Sequence, residues 1–286
     1  MSFTVTRKNK TLEEISTRNK IRLYWWSERH IQKKDHENYG DLLGKYLVQK
    51  ITGKQVNWVR ASRFYLKNLW KPVYVTIGSV LEHVGSHCIV WGSGIANRDA
   101  QIPKATFMAV RGPLSRKRLL DLGHHCPEVY GDPALLLPDY YNPPVNKEFE
   151  LGIIPHISDH KLVEILFKKN DSISIIDFRT NDIEFTTSEI LKCKRILSSS
   201  LHGIIVAHAY QIPAIQVKFS DNIYGDGVKY HDYMLSVGIE PYTAELIKSD
   251  RPIEEWLKKF ELQQHKQPNP QIISTLKKGL MKNCPF

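Results

Sequence analysis

Strand-like and helix-like runs alternate throughout the second half of the chain, and this feature constrains the fold most. Short apolar runs predict strands at residues 151–155, 173–177, 195–197 and 214–218. The runs between them predict helices at 160–169, 187–192 and 201–210. Strands that alternate with helices are joined by right-handed crossovers and form a parallel sheet. The sequence therefore predicts an α/β fold here.

A similar alternation precedes this region, with strands expected at 21–26, 56–59, 73–77, 88–91 and 107–110 and helices at 41–51, 79–84 and 114–122. The proline-rich run at 138–144 interrupts the pattern, and we predict an interdomain linker there. The predicted domains are residues 1–140 and 141–286. A chain of 286 residues is long enough to form two domains of ordinary size.

The run SSSLHG at 198–203 follows one of these predicted strands. Two of its serines are good N-cap candidates, so His202 falls in the first turn of the next helix. A helix N-terminus offers unpaired N–H groups and a partial positive charge, which suit an anion. His202 can hold a phosphate there or transfer a proton near neutral pH; a purely structural histidine is the equal alternative. His208, about 240° further round the helix, is interpreted as structural.

Polar residues also occupy other strand-to-helix loops, where α/β sheets bind ligands. Asn38, Gly40 and Asp41 precede the helix predicted at 41–51, and Asp41 either caps that helix or contacts substrate. Arg111 ends a predicted strand. Its planar guanidinium can bind a carboxylate or phosphate through two N–H groups, or can form a surface salt bridge.

Motifs for bound cofactors and metals are weak. The turn Gly92-x-Gly94 lacks the third glycine of a dinucleotide-binding motif. The His-Cys clusters at 87–88 and 124–126 have no recognised zinc-ligand spacing. The four cysteines are scattered and are expected to be reduced. We therefore predict no metal and no bound cofactor.

The net charge of +10 is concentrated at the two ends. Residues 1–35 hold nine Lys/Arg against four Asp/Glu, and residues 251–286 hold seven against three. Basic ends suit an anionic membrane surface, or are simply a solvated surface. No nucleic-acid-binding signature is present, so nucleic acid is not an expected partner.

The sequence predicts a cytoplasmic protein, with peripheral binding to the inner membrane face as an extension. No apolar stretch approaches the roughly 20 residues of a membrane span, and the first residues lack the apolar core of a secretory signal. The apolar side of the last predicted helix, at 272–281, either docks on the protein or lies on a membrane. Docking is favoured.

Several of these segments together resemble the polysaccharide pyruvyl transferase family, in order and spacing over residues 36–240. They are Asn38-x-Gly40-Asp41, Trp91-Gly92-Ser93-Gly94, Arg111-Gly112-Pro113, Gly131-Asp132-Pro133, Pro155-His156 and the run at 198–203. The resemblance implies two Rossmann-like halves facing a cleft, as in B-type glycosyltransferases. It also implies transfer of pyruvate from phosphoenolpyruvate to two hydroxyls of a sugar in a bacterial-type surface polysaccharide or its lipid-linked precursor, giving a cyclic ketal.

The resemblance also implies roles for individual residues. His202 matches the catalytic histidine, and Arg111 matches an arginine that helps to hold the donor. We expect the remaining donor-binding residues to be Ser93, Gly94, Ser199, Ser200, Leu201 and Gly203, and those of the acceptor side or cleft to be Asn38, Gly40, Asp41, Asp132 and His156. Many members have an arginine where this chain has Ser200, so other groups must hold part of the donor.

Two other function classes stay open. A B-type glycosyltransferase would share the fold and a basic cleft but would need a nucleotide-sugar site, which the sequence does not locate. A carbohydrate- or membrane-binding module without activity would use the basic ends, and His202 and Arg111 would then be architectural. A binding experiment with phosphoenolpyruvate and with nucleotide sugars distinguishes these two classes from a pyruvyl transferase.

Overall fold

Short apolar strands alternate with helices along the chain. The computed structural model describes residues 20–62, 71–167 and 171–286. Within these ranges the strands are β1 (Ile21–Tyr24), β2 (Glu37–Asn38), β3 (Val56–Trp58), β4 (Val73–Val75), β5 (Cys88–Trp91), β6 (Thr106–Ala109), β7 (Leu151–Ile154), β8 (Ile173–Ile175), β9 (Arg179–Thr180), β10 (Ile196–Ser198), β11 (Ala214–Lys218) and β12 (Glu245–Leu246).

The helices of the same ranges lie mostly between consecutive strands. They are α1 (Glu28–Gln32), α2 (Tyr39–Thr52), α3 (Pro113–Asp121), α4 (Leu137–Tyr140), α5 (His160–Leu166), α6 (Ile183–Leu191), α7 (Leu201–Ala209), α8 (Val228–Ser236), α9 (Ile253–Leu262) and α10 (Pro270–Lys282). Short 3₁₀ turns cover Leu81–His83, Pro133–Leu136 and Gln264–Lys266.

The described strands form two five-stranded parallel sheets, in the orders β3-β1-β4-β5-β6 and β8-β7-β10-β11-β12. Numbered along the chain, both sheets have the order 2-1-3-4-5. The direction of strand addition therefore reverses between β1 and β4 in the first sheet and between β7 and β10 in the second. In open α/β sheets, ligands bind outside the carboxyl ends of the strands at such a reversal.

The predicted α/β class with parallel sheets, in a Rossmann-like layout, is confirmed. The likeness to B-type glycosyltransferases and the division at residues 140 and 141 stay predictions. The main apolar core includes residues from both halves, such as Leu43 and Leu47 of α2 and Ile205 of α7. Full burial of such a side chain contributes roughly 1.5–3 kcal/mol.

Two helix starts differ from prediction for the same reason, which is the side chain that caps them. The helix expected at 41–51 begins at Tyr39, because Asn38 accepts a hydrogen bond from Gly40 N at 2.9 Å. The capping alternative for Asp41 is therefore wrong. The helix expected at 187–192 begins at Ile183, because Asp182 accepts from Phe185 N at 2.9 Å.

The C-terminal helix docks on the protein, as the sequence favours. Leu280 on α10 is fully buried and belongs to the same apolar cluster as Trp91 at the end of β5. The Trp91 indole N–H donates to the Leu280 carbonyl at 2.9 Å, and Phe286 meets the Trp91 ring edge-on. The end of the chain therefore packs against the first sheet. No helix in the described ranges is long and apolar enough to cross a membrane.

Candidate active site

The reversal points of both sheets open onto one cavity of about 370 Å³, which we call the interface cavity. The loops that follow β1 and β4 supply one wall, formed by Trp26, Asn38, Asp41, Gly78, Ser79, Val80 and His83. The loops that follow β7, β10 and β11 supply the other wall, formed by His156, Ser200, Leu201, His202, Tyr224 and Lys229. Five carboxyl-terminal strand ends therefore converge here.

His202 lies in the first turn of α7 and is paired with a buried carboxylate. Its side chain is mostly buried, with the residue 8% exposed, and Nε2 lies 3.5 Å from Oδ2 of Asp132. Both atoms are buried, and neither has a hydrogen-bond partner among the described residues, so the two form a close contact and not a hydrogen bond. Asp132 is held in place because its Oδ1 accepts from Ala134 N at 2.9 Å. An Nε2–H directed at this carboxylate would leave Nδ1 as a proton acceptor.

Gly40 packs directly against this imidazole. A Cβ atom built on Gly40 would collide with Nδ1 of His202, so residue 40 must lack a side chain for the ring to keep its place. Asn38 and Gly40 at the start of α2 therefore shape the surroundings of His202, and neither supplies a charge.

Asp41 brings a second titratable group into the interface cavity. Its carboxylate faces Gly78, whose φ of 105° is left-handed and favours glycine. Desolvation raises the pKa of Asp41 to about 7, although nearby His202 opposes the shift. A carboxyl that titrates near neutral pH can take or give a proton in a reaction at pH 7.

Arg111 lies behind the cavity wall and does not line it. The residue is 0% exposed, and its Nε donates to Asp232 Oδ2 at 3.1 Å. The other two nitrogens donate to Ser79 Oγ at 2.7 Å and to the Ile95 carbonyl at 2.8 Å. Its role in holding the donor stays a prediction. In this geometry Arg111 can act on a ligand only indirectly, by positioning Ser79. The alternative of a surface salt bridge is wrong, because Arg111 does form an ion pair, with Asp232, but that pair is fully buried.

Four more predicted donor-site residues support the cavity without lining it. Ser93 Oγ donates to the Gly78 carbonyl at 2.7 Å, and Gly94 leaves room for the Arg111 guanidinium. Ser199 Oγ accepts from His156 N at 2.8 Å, which ties the loop after β10 to that after β7. Gly203 leaves room for the Ser198 hydroxyl.

A serine, Ser200, stands at the N-cap of α7, as predicted, but its side chain does not cap the helix. Its hydroxyl is therefore free for another partner in the interface cavity. His156 is desolvated beside Lys229, and both effects lower the pKa of its imidazole to about 4. His156 is accordingly neutral at pH 7.

Lys229 is absent from the predicted site residues, yet it is a basic residue in the described lining of this cavity. It is half-buried at the second residue of α8. Desolvation, assisted by the charge of Arg111, lowers the pKa of Lys229 to about 8. A lysine in the first turn of a helix, where the dipole disfavours a cation, is the signal that could have found it.

A second, larger cavity of about 800 Å³ adjoins the first and shares Trp26 and His83 with it. We call it the adjoining groove; it is lined by the loops after β1, β3, β4 and β5 and includes Tyr24, Ile31, Glu82 and Lys104. The rings of Trp26 and His83 lie 5.4 Å apart at the junction of the two cavities. The groove is thus an extended surface, largely apolar, that leads to the interface cavity.

Comparison with known proteins places this geometry in a family. The family model of polysaccharide pyruvyl transferase matches residues 38–217, which is more than half of the chain. The chain belongs to this family. The predicted resemblance is therefore confirmed, and the matched residues run from Asn38 to β11. They contain His202, Asp132 and Asp41, whereas Lys229 lies beyond them.

This polysaccharide pyruvyl transferase family member also has a viral relative. An uncharacterized protein of Acanthamoeba polyphaga mimivirus is 28% identical to it over 212 residues, covering 71% of this chain and 72% of the viral protein. Membership of the family indicates a transferase that modifies a saccharide.

Proposed function

We propose that this polysaccharide pyruvyl transferase uses phosphoenolpyruvate as donor and forms a cyclic ketal on two hydroxyls of a sugar. The observation that carries the proposal is His202, which lies 3.5 Å from the buried Asp132 carboxylate and lines a cavity where α2, α7 and α8 all begin. These N-termini and Lys229 favour an anion, and phosphoenolpyruvate carries both a carboxylate and a phosphate.

The reaction balances with the groups at hand. Both sugar oxygens bond to the enol carbon, the C–O bond to phosphate breaks, and the phosphate leaves with that bonding pair. Of the two hydroxyl protons, one ends on the methylene carbon, which becomes a methyl group, and the other ends on phosphate. His202 and Asp41 are the groups of this cavity that we assign to these transfers. Positioned proton transfer contributes roughly 10²–10⁴-fold to a rate.

We further propose that the saccharide acceptor occupies the adjoining groove. The groove reaches the interface cavity at Trp26, whose ring offers a flat apolar face to a sugar ring. The donor would then lie against the second sheet and the acceptor against the first, as in the two facing halves of a B-type fold. We place this reaction at the cytoplasmic face of the membrane, on a lipid-linked precursor of a surface polysaccharide.

Thermal stability with candidate donors tests the proposal. A ligand that binds the folded state adds RT ln(1 + [L]/Kd) to the free energy of unfolding, about 2.7 kcal/mol at 100 Kd. We expect phosphoenolpyruvate to raise Tm and UDP- and GDP-sugars to leave it unchanged. Release of inorganic phosphate from phosphoenolpyruvate upon addition of acceptor saccharides is the activity readout. A rise with a nucleotide sugar and none with phosphoenolpyruvate would overturn the proposal.

A further inference from the structure

Lys229 is the one lysine or arginine among the described residues that line the interface cavity. Its Nζ donates to the Tyr224 carbonyl at 3.2 Å, and it forms no ion pair with a described carboxylate. Arg111, whose charge acts on Lys229, is fully buried and already bonded to Asp232, Ser79 and Ile95. Among the described residues that line this cavity, Lys229 is therefore the one lysine or arginine available to a multiply charged anion.

The protein groups that surround Lys229 disfavour its charged form. It occupies the first turn of α8, where the helix dipole repels a cation. Desolvation and Arg111 also lower its pKa. An anion bound against Nζ would offset these effects and favour the charged form of Lys229, because it supplies the opposite charge in a partly dehydrated site. A cation held in such surroundings is characteristic of a functional site.

The start of α8 is fastened to the turn that carries the catalytic histidine. The Tyr230 hydroxyl donates to the Ser199 carbonyl at 2.6 Å. Lys229 and Ser200, the neighbours of these two residues, both line the interface cavity. The charge of Lys229 also contributes to the lowered pKa of His156 at the end of β7. Lys229 is thus placed at the reversal point of the second sheet.

We propose that Lys229 binds an anionic group of the donor, supplying from α8 the positive charge that the uncharged Ser200 does not supply from α7. This inference rests on the proposed function, since it takes phosphoenolpyruvate as the donor. It extends the donor site beyond residues 38–217, to a residue on a helix that the family match does not reach.

The test compares neutral and charged substitutions of Lys229. We expect Lys229→Gln to raise KM for phosphoenolpyruvate, and to weaken its binding measured by thermal shift, by about 10- to 100-fold, the value of one charge-assisted hydrogen bond. Lys229→Arg should keep most of the affinity. Lys229→Met, which keeps the aliphatic length, is a second neutral variant should Lys229→Gln fold poorly. Lys218→Gln is the matched control, because Lys218 lies on the neighbouring β11 and pairs with Asp221 at 3.2 Å.

A charge-relocation variant sharpens the test. In the Lys229→Gln background, Ser200→Arg should recover binding of phosphoenolpyruvate, since both side chains line the same cavity. Folded neutral variants that bind phosphoenolpyruvate as tightly as the unsubstituted protein would overturn the role of Lys229 and leave the proposed function standing. If the unsubstituted protein binds no phosphoenolpyruvate, the proposed function itself fails.

Discussion

His202 and His208 lie on the same helix but have different surroundings, and their substitution should separate catalysis from stability. His202 lines the interface cavity, whereas His208 is buried with its Nδ1 3.0 Å from the Tyr233 hydroxyl. We expect His202→Ala to cost about 1–2 kcal/mol in unfolding free energy and to slow pyruvyl transfer at least ~10²-fold. His208→Ala should cost roughly 2–4 kcal/mol, because it opens a cavity and leaves a buried hydroxyl unpaired.

The measurement is transfer from phosphoenolpyruvate per folded molecule, together with Tm, for both variants. His208→Ala should retain activity once corrected for its folded fraction. A folded His202→Ala protein with full activity would contradict the role of His202 in proton transfer.

Asp41 should make the stability of the protein depend on pH. Its folded pKa of about 7 lies above the usual value for an aspartate, so its contribution to stability is full below about pH 4 and is lost as pH rises to 7. Asp41→Asn cannot ionise and should remove this loss. We expect the variant to be more stable than the unsubstituted protein at pH 8, yet slower in transfer.

Melting curves from pH 4 to pH 8 for both proteins provide the measurement, and their difference should grow over this range. Asp139→Asn is a suitable control, since Asp139 is an exposed partner of Lys277 outside the cavity. Equal slopes of Tm against pH for the unsubstituted protein and Asp41→Asn would show that folding does not raise the pKa of Asp41.

At the scale of elements, the sequence predicts the order of strands and helices but not the pairs that join distant elements. The apolar run of α7 and the serines before it are local signals, so His202 could be located in a first helical turn. The pairing of His202 with Asp132, and of Arg111 with Asp232, joins residues far apart in the chain that no local period connects. The two-residue strands β2 and β9, which pair antiparallel, are too short to show a period.

The pair Arg111–Asp232 fastens the end of β6 to α8, and Arg111→Lys should loosen this joint. From the donor-holding role that the family resemblance implies for Arg111, this change is expected to weaken donor use more than folding. Because the guanidinium makes three buried hydrogen bonds and lysine cannot reproduce their geometry, we now expect a loss of about 2–3 kcal/mol in stability as well. Donor use should also fall, because Ser79, which lines the cavity, would lose the hydrogen bond that positions it.

Urea unfolding and KM for phosphoenolpyruvate measure the two effects of Arg111→Lys. Arg118→Lys is the matched control, because Arg118 donates to the carbonyls of Asp99 and Ala100 and is only partly buried. Unchanged stability of Arg111→Lys would show that the buried pair contributes little, and unchanged KM would show that Ser79 needs no support from it.

At the scale of the whole molecule, the two sheets have the same strand order, and each contributes its reversal point to one cavity. This placement explains why loops far apart in sequence, from Trp26 to Lys229, line a single site. It also explains the contact between the halves at the start of α2, where Tyr39 N donates to the Phe178 carbonyl at 2.8 Å. A change in the relative position of the halves would move His202 against Gly40 and Asp132 and so alter the reactive geometry.

The distribution of charge over the molecule supports a prediction about membrane binding. Of the two basic ends, residues 1–19 lie outside the described residues, and the other end includes α10. Because α10 buries Ile273 and Leu280 against the protein, its exposed Lys278 and Lys282 are left to face solvent. Each basic residue near an anionic lipid surface contributes about 1 kcal/mol. We expect the protein to co-sediment with phosphatidylserine-containing vesicles, and less so as salt rises.

Charge reversal on α10 tests this binding while leaving the interface cavity intact. Lys278→Glu combined with Lys282→Glu should weaken vesicle binding by roughly 30-fold or more, since at least two attractions of about 1 kcal/mol are lost. Lys277→Gln is the control, because Lys277 is already paired with Asp139. Transfer to a soluble saccharide should be unchanged in both, whereas transfer to a lipid-linked acceptor in anionic vesicles should fall with the double variant. Vesicle binding that changes neither with the content of anionic lipid nor with the double substitution would rule out the basic surface of α10 as the membrane contact.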